Sequence, residues 1–248
     1  MQIKLFADSH ALAEAAAQHA AGIIRSAINE RQGARIVAAT GTSQFEFLDR
    51  LVSAPQIDWP AVELFHLDEY IGIAPTHPAS FSHYMRERIL QRIPIAKYHL
   101  LDGSRDPRRT IAETGAELLR FPVDIAFTGL GENGHLAFND PPADFATDAP
   151  YLIVALAEAT RQQQLNEGWF PSLADVPHSA ITMSIRQILK AREILCIATG
   201  ERKASTVKKC FEGEVSPDAP ASILQSHAHA TVFLDRDAAR LLETSALG

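Results

Sequence analysis

The sequence is poor in cysteine, since Cys196 and Cys210 are the only two among 248 residues. Two cysteines cannot form a disulfide framework, and this pair lacks the spacing of a zinc site. No apolar run approaches the ~18 residues that a membrane-spanning helix needs. The first eight residues lack the apolar core of a signal peptide. These absences predict a soluble protein of a reducing, cytoplasmic compartment.

Positive charge is also scarce. Lys and Arg number 23 against 30 Asp and Glu, so the formal net charge is −7. This balance argues against nucleic acid and anionic membranes as partners, although a local basic site for a small anion remains compatible with it. Apolar residues make up 46% of the chain, which at this length excludes a disordered protein and provides for a buried core.

Strands and helices alternate along the chain. Apolar runs at residues 35–39, 62–66, 123–128 and 194–198 predict strands that are buried on both faces, as in a parallel sheet. The predicted fold class is therefore α/β, a single three-layer αβα domain over residues 1–248 with a mostly parallel, Rossmann-like sheet. Helical patterns lie between the strands, at residues 9–32, 44–53, 81–92, 107–119 and 158–167.

Three informative segments follow predicted strands, at residues 40–43, 68–70 and 129–140. Ligands of open parallel sheets bind at the carboxyl ends of the strands, so these segments are expected to converge. The first is Thr40-Gly41-Thr42-Ser43, where backbone N–H groups and hydroxyls at a helix start suit a phosphate. A plain capped turn is the alternative. No lysine follows the loop, so it is not a nucleotide P-loop.

Asp68 and Glu69 form the second segment. A carboxylate at a strand end is a candidate general base, and a surface acidic pair that caps a turn is the alternative. Later in the chain, Lys203 stands at the start of a helix, where a cation can pair with a phosphate or remain solvated.

The third segment contains Gly129, Gly131 and Gly134 in the G-x-G-x-x-G spacing of dinucleotide-binding proteins. We reject that interpretation, because the fingerprint requires a helix directly after its glycines, and prolines 141 and 142 follow here instead. The glycines more readily let the backbone approach a small ligand. His135 and Asp140 come next, and a histidine near a carboxylate can act as an acid/base unit, with a structural histidine as the alternative.

His227 and His229 form an H-x-H pair. No third ligand is evident near them in the sequence, so we predict no metal site.

Together these segments resemble the glucosamine-6-phosphate deaminase family, in order and over nearly the whole chain. The residues from Gly129 to Pro141 are the most specific, because the related 6-phosphogluconolactonases share G-x-G-x-x-G-H but lack Phe-Asn followed by an acid. The resemblance is carried by Ala39-Thr40-Gly41-Thr42-Ser43, Leu67-Asp68-Glu69-Tyr70-Ile71-Gly72, His77-Pro78-Ala79-Ser80-Phe81, Gly129-Leu130-Gly131-Glu132-Asn133-Gly134-His135-Leu136-Ala137-Phe138-Asn139-Asp140-Pro141, Ala180-Ile181-Thr182-Met183 and Gly200-Glu201-Arg202-Lys203-Ala204.

The resemblance implies a hydrolase of the deaminase type, which turns glucosamine 6-phosphate and water into fructose 6-phosphate and ammonia without metal or organic cofactor. In the family, the residue matching Asp68 moves a proton from C2 to C1, and the residue matching His135 works on ring opening. A carboxylate at the place of Asp140 orients that histidine. Asn133 stands where some members have aspartate, and it can orient His135.

The resemblance also implies that residues 40–43 hold the phosphate, assisted by Lys203. Two departures bear on this. The acid at position 140 is aspartate where glutamate is usual, so its shorter reach must be recovered by backbone placement. The phosphate-binding arginine common in members is missing from residues 162–170, so that Arg161 or Lys203 compensates, or the phosphate site is weaker.

These departures keep alternatives open: another phosphorylated amino sugar such as galactosamine 6-phosphate, a lactone, or a non-catalytic sugar-phosphate sensor. Residues 143–156 lack the basic side chains of the family's allosteric forms, so we expect no activation by N-acetylglucosamine 6-phosphate. The oligomeric state is left open. Residues 160–177 are expected to form a mobile lid.

Overall fold

A computed structural model describes residues 1–243 of the chain, which form two β-sheets and the helices around them. No helix in this range is long and apolar enough to cross a membrane. The strands are β1 (Gln2–Phe6), β2 (Ala34–Ala38), β3 (Val62–His66), β4 (Asp68–Tyr70), β5 (Lys97–His99), β6 (Ile125–Gly129), β7 (Tyr151–Ala155), β8 (Ser179–Met183), β9 (Glu193–Ala198) and β10 (Ala230–Asp235). The helices are α1 (Ser9–Arg31), α2 (Phe45–Val52), α3 (Phe81–Met85), α4 (Pro107–Leu118), α5 (Glu158–Asn166), α6 (Ile185–Ile188), α7 (Ala204–Phe211) and α8 (Arg236–Ala239).

The larger sheet contains seven parallel strands in the order β1-β10-β9-β6-β2-β3-β5. From β2 the chain moves outward to β3 and β5, and from β6 it moves the opposite way, to β9 and β10. The direction therefore reverses between β2 and β6, which are neighbours in the middle of the sheet. In open α/β sheets such a reversal leaves a crevice at the carboxyl ends of the strands, where ligands bind.

A hydrophobic core lies on each side of the larger sheet. On one face, α1, α2 and α3 cover strand residues such as Ile36 and Leu64. On the other face, α4, α6, α7 and α8 cover the alternate residues, such as Val37 and Phe65. Two helical layers therefore enclose one sheet, which confirms the predicted α/β class and its mostly parallel sheet.

The predicted strands at residues 35–39, 62–66, 123–128 and 194–198 are present as β2, β3, β6 and β9. The predicted first helix is also present as α1, which begins after Asp8. The Asp8 carboxylate accepts a hydrogen bond from an N–H of the first turn at 2.8 Å, as a helix cap does. These elements were predictable because each has its own local pattern.

The predicted helix at residues 81–92 takes a different form. An α-helix ends at Met85, and the chain continues as a π-helical turn over Arg86–Leu90. The spacing of the apolar residues does not predict this change from α-helical to π-helical hydrogen bonding.

A second sheet, which the sequence pattern does not predict, joins β4, β8 and β7 in antiparallel order. Only Leu67 separates β3 from β4, so the chain passes directly from the larger sheet into the smaller one. Asp68 is the first residue after this passage, and it pairs with Thr182 of β8. The smaller sheet therefore fixes the backbone of Asp68 beside the central crevice.

Candidate active site

A cavity of about 310 Å³ lies at the carboxyl ends of β2, β6 and β9. Its walls are the loops after these strands, the start of β4 and one face of α5. Asn133 and Asp140 lie behind one of the lining side chains, His135. The sequence segments expected to converge therefore do meet. The lining includes eight of the residues predicted from sequence: Thr40, Gly41, Thr42, Ser43, Asp68, Gly131, His135 and Lys203.

The loop after β2 has the form of an oxyanion site. Gly41 has a φ of 129°, and a 3-10 turn over Thr42–Gln44 then leads into α2. The Gln44 amide donates to the carbonyl of Thr128 at 3.2 Å and holds this turn against β6. The buried hydroxyl oxygen of Thr40 has no hydrogen-bond partner among residues 1–243. An unpartnered hydroxyl beside the N–H groups of a helix start is suited to bind a phosphate.

The loop after β9 has the same local structure. Ala198-Thr199-Gly200 repeats the sequence Ala39-Thr40-Gly41. Gly200 has a φ of 84°, and a 3-10 turn over Glu201–Lys203 leads into α7. Only Lys203 of this second loop was predicted as a phosphate ligand, although the repeated Ala-Thr-Gly after two apolar strands was a signal for the whole loop.

Lys203 is the cation that the second loop brings to the cavity wall. Burial lowers the pKa of Lys203, while the charges of Glu132 and Glu167 act in the opposite direction. Its ammonium group makes no ion pair with a carboxylate of the described residues. The neighbouring Arg202 is 71% exposed and lies 3.7 Å from Glu132. Lys203 is thus the better placed of the two to hold an oxyanion inside the cavity.

Asp68 is a buried carboxylate that faces the cavity, with 6% of its surface exposed. No donor within residues 1–243 forms a hydrogen bond with its carboxylate. Burial, and next the charge of Glu69, raise the pKa of Asp68 well above its usual value. A buried carboxylate without partners in a cavity is the environment expected of a general base.

Glu69 is buried for a different reason. Its carboxylate accepts hydrogen bonds from three backbone N–H groups, at 3.0, 3.1 and 2.7 Å, and from the Ser80 hydroxyl at 2.8 Å. These bonds cap α3 and tie it to β4. Of the two interpretations left open for the acidic pair, capping therefore belongs to Glu69, while Asp68 is free for chemistry.

His135 lies against the backbone of Gly131. A Cβ atom on Gly131 would be 2.3 Å from the Nδ1 and Cε1 atoms of the ring, so glycine is required here. This glycine was expected to let the backbone approach a ligand, whereas the close approach found is to the histidine ring. No helix lies between these glycines and β7, which agrees with the rejection of a dinucleotide site.

Asp140 is held on both carboxylate oxygens. Its Oδ2 accepts from the N–H of Ala157 at 2.8 Å, and its Oδ1 accepts from Nδ2 of Asn133 at 2.9 Å. Burial raises the pKa of Asp140, but the nearby His135 ring and hydrogen bonds from Thr160 and Ala157 outweigh burial and lower the pKa to about 2. Asp140 is therefore ionised at neutral pH.

Backbone placement was expected to recover the shorter reach of Asp140; it brings the acid close to His135, and a third side chain lies between them. Nδ1 of His135 and Oδ1 of Asp140 are 3.4 Å apart, and the hydroxyl of Thr160 contacts both side chains. Asn133 orients the histidine through its backbone, because the Asn133 side-chain oxygen accepts from the His135 N–H at 3.1 Å. Thr160 carried no sequence signal, since a lone threonine on a polar helix has no distinguishing pattern.

The face of α5 forms the wall where the resemblance predicts a phosphate-binding arginine. Arg161 does not take that role, because its guanidinium donates to backbone carbonyls of residues 173 and 176 at 2.6 and 3.1 Å. Lys203 is thus the remaining candidate for compensation. The α5 region lines the cavity with Gln163, Gln164 and Glu167.

The histidine pair considered as a metal site is engaged elsewhere. His227 bonds a backbone carbonyl at 3.0 Å, and His229 is 68% exposed. Within residues 1–243, the side chains that could bring three metal ligands together are Glu63, His99 and Glu117. Glu63 of this cluster is already paired with Arg35 at 2.7 Å and with Lys97 at 2.6 Å. We assign no metal to the histidine pair or to this cluster.

A protein family described as "Glucosamine-6-phosphate isomerases/6-phosphogluconolactonase" matches residues 7–233 of the chain. The chain belongs to this family. Similar sequences within it include the glucosamine-6-phosphate deaminase of Lactobacillus delbrueckii subsp. bulgaricus, 38% identical over 89% of this chain and 92% of the relative. Glucosamine-6-phosphate deaminase 2 of Bacillus subtilis is 36% identical over 91% of this chain and 92% of the relative.

Solved structures share the fold of this chain. A monomeric glucosamine-6-phosphate deaminase matches with a TM-score of 0.89 and 32% identity, covering 97% of this chain and 100% of that one. A 6-phosphogluconolactonase from Trypanosoma brucei matches with a TM-score of 0.81 over 98% of both chains, at 18% identity, which shows a common fold alone. The family resemblance predicted from the sequence is confirmed.

Proposed function

We propose that the chain converts glucosamine 6-phosphate and water into fructose 6-phosphate and ammonia. The observation that carries the proposal is the unpartnered, buried carboxylate of Asp68 in one cavity with His135, between two loops shaped for an oxyanion. The names of relatives at 36–38% identity and a TM-score of 0.89 to a glucosamine-6-phosphate deaminase support the same reaction.

Ring opening is assigned to His135. The closed sugar must lose the proton of its C1 hydroxyl and gain one on the ring oxygen before C2 becomes acidic. A histidine can accept and return a proton near neutral pH. Asp140, ionised and held behind the ring, orients His135, and Asn133 holds its backbone.

Proton transfer between carbons is assigned to Asp68. Its carboxylate takes the proton from C2 of the open aldose and returns it to C1, while a proton of the substrate's ammonium group passes to O1, which leaves an iminium group at C2. Water adds to this carbon, one of the water protons passes to the nitrogen, and ammonia leaves, so that a ketose remains after loss of the second water proton. Proton transfer by a fixed group typically contributes ~10²–10⁴-fold to the rate. The proposed activity is that of a deaminase and isomerase. The term hydrolase, used for the enzyme that the resemblance implies, describes only the net consumption of one water molecule.

The phosphate is assigned to the two loops. Backbone N–H groups of residues 40–43 and the hydroxyls of Thr40, Thr42 and Ser43 contact it, and Lys203 neutralises its charge. The phosphate is distant from the reacting carbons, so its binding energy can hold C1 and C2 against Asp68 and His135. The proposed reaction requires no metal or organic cofactor.

We also propose that residues 1–248 act as one domain and that residues 160–177 are its lid. Trp169 packs edge-on against Phe45, the first residue of α2, at 6.0 Å between ring centroids. Phe170, 4% exposed, packs on Tyr70. The lid is thus anchored beside the phosphate loop and beside the base. A phosphorylated sugar as substrate fits a cytoplasmic location.

Ammonia release tests the proposal. Purified protein receives glucosamine 6-phosphate with EDTA present, and ammonia and fructose 6-phosphate are both measured. Galactosamine 6-phosphate and 6-phosphogluconolactone are run in parallel, and Asp68→Asn is the inactive control. We expect equal amounts of the two products, with the rate lost in the control and phosphate-dependent binding of the sugar retained.

Other outcomes would contradict the proposal in distinct ways. A faster rate on galactosamine 6-phosphate or on the lactone would move the activity to that substrate. Tight binding of sugar phosphates without turnover would indicate a sensor. Undiminished incorporation of solvent deuterium by Asp68→Asn would remove Asp68 from the role of base.

A further inference from the structure

The carboxylate behind the histidine does not reach it. Nδ1 of His135 is 3.4 Å from Oδ1 of Asp140, beyond the 2.7–3.2 Å that is usual for an N–H···O hydrogen bond. Both side chains are enclosed, with 11% and 9% of their side-chain surfaces exposed. A histidine nitrogen in such a place needs a closer partner, because an unmade buried hydrogen bond is costly.

Thr160 lies between the two groups. This threonine is 1% exposed, and its hydroxyl oxygen is 3.2 Å from Nδ1 of His135 and in close contact with Oδ1 of Asp140. The same oxygen is 3.2 Å from Nδ2 of Asn133. A hydroxyl has one hydrogen to donate and two lone pairs that accept, so it can satisfy three neighbours.

The directions of these hydrogen bonds follow from the chemistry of the partners. Ionised Asp140 can only accept, so the Thr160 hydroxyl donates to it. The amide nitrogen of Asn133 can only donate, so it takes one lone pair of the hydroxyl. The other lone pair is left for a hydrogen on Nδ1 of His135. In the neutral ring, Nε2 then carries no hydrogen and is ready to accept a proton.

α5 holds this arrangement in place. Thr160 belongs to its first turn, and the N–H of Ala157, just before the helix, donates to the second oxygen of Asp140 at 2.8 Å. A carboxylate at a helix N-terminus is also favoured by the helix dipole. The helix therefore positions both the hydroxyl and the acid relative to the histidine ring.

We propose that the Thr160 hydroxyl is a relay that joins Asp140 to His135 and selects the ring tautomer with its hydrogen on Nδ1. Thr160 is thus a positioning residue, and it supplies the reach that the short aspartate lacks. The relay is a property of these three side chains, while its kinetic consequence rests on the proposed deaminase function.

Three variants test the relay. Thr160→Val removes the hydroxyl at constant shape, Thr160→Ser keeps it, and Thr160→Val combined with Asp140→Glu replaces the hydroxyl by a longer acid. Thr114→Val, a buried threonine of α4 outside the cavity, is the matched control. We expect Thr160→Val to lower kcat about 10–100-fold, by analogy with the loss of the hydrogen-bond partner of a metal-bound histidine, with little change in KM.

The other variants should distinguish loss of the hydrogen bonds of the Thr160 hydroxyl from a change in the packing of a buried side chain. Thr160→Ser and Thr114→Val should stay within about threefold of the parent protein, and Asp140→Glu should restore at least tenfold of the rate lost in Thr160→Val. Nitrogen NMR of the His135 ring gives a second readout, independent of any substrate. The parent protein should show hydrogen on Nδ1, and Thr160→Val should show a mixture of both tautomers.

Several results would overturn the proposal. A parent protein with hydrogen on Nε2 contradicts it whether or not any variant folds. A folded Thr160→Val with unchanged kcat and tautomer does so too, as does Thr160→Ser impaired as much as the valine variant. If the parent protein released no ammonia, the proposed function would fail, and the NMR measurement would still decide the relay.

Discussion

At the scale of single residues, the site depends on contacts that leave no room for one more atom. Gly131 is the clearest case, because the His135 ring occupies the volume where its Cβ would be, at 2.3 Å from Nδ1. The glycine therefore acts on the chemistry by letting the ring lie flat against the backbone. The sequence shows only that a glycine is present, and the reason for it becomes visible with the packed side chain.

Gly131→Ala should displace the His135 ring and lower the stability by about 1–3 kcal/mol, as overpacking of an enclosed contact does. A shift of about 1 Å at a reacting group can cost ~10²-fold in rate, so we expect kcat to fall by about that factor. Gly22→Ala, within α1 and with no atom within 4 Å of the added Cβ, is the control and should leave the rate unchanged. Steady-state kinetics and thermal unfolding of both variants check this. A Gly131→Ala enzyme with full activity would contradict the argument.

At the scale of elements, the loops after β2 and β9 share one local structure and lie on either side of the central strand β6. Each begins with Ala-Thr-Gly after a buried strand, has a glycine at positive φ, and enters a helix through a 3-10 turn. Each presents N–H groups to the cavity end of the sheet. The difference is Lys203, which gives the second loop a half-buried cation and the first none.

Lys203→Met should weaken substrate binding through the loss of this cation. Hydrogen bonds to charged groups contribute about 1.5–3 kcal/mol, so KM should rise at least tenfold, with a smaller change in kcat. Lys190→Met is the matched control, because Lys190 is exposed and does not line the cavity, and it should change KM by less than twofold. Initial rates over a range of glucosamine 6-phosphate concentrations measure both. Equal effects of the two substitutions would assign the phosphate elsewhere.

Elements with a local pattern were predictable, and those made by distant pairing were not. β2, β3 and β6 are apolar runs, and the loops that follow them contain hydroxyls and glycines, so their convergence could be inferred. β4 is three residues long and exists because it pairs with β8, more than 100 residues later in the sequence. Thr160 likewise acquires its role from contacts with two residues at least 20 positions away.

At the scale of the whole molecule, the fold carries an unpaired carboxylate at the junction of its two sheets. The passage from β3 to β4 is buried on both sides, and Asp68 stands there without a hydrogen-bond donor among the described residues. Removing an ionised carboxylate from water without a partner is unfavourable, so the native state is less stable with Asp68 ionised. Active sites commonly hold groups of this kind at the expense of stability.

Asp68→Asn should therefore stabilise the protein at neutral pH. The folded state raises the pKa of Asp68 above its ordinary value, so the folded protein binds the proton more tightly than the unfolded chain. Stability contributed by the protonated form is lost as pH rises through the folded pKa. We expect the variant to unfold about 2–4 °C higher at pH 7.5, which for this chain length corresponds to about 1 kcal/mol, and the gain to vanish near pH 4.

Asp124→Asn is the control variant. It distinguishes the effect of removing a buried carboxylate without partners from a general effect of removing a buried charge. Asp124 is 4% exposed, like Asp68, but its carboxylate accepts from the N–H of Arg35 at 2.8 Å and pairs with Arg31 at 2.8 Å. Loss of these partners should lower the unfolding temperature at pH 7.5, because the carboxylate there is stabilised by what surrounds it. Opposite signs for the two substitutions would show that Asp68 is kept for chemistry rather than for folding, whereas destabilisation by both would mean that Asp68 has a partner in the folded protein.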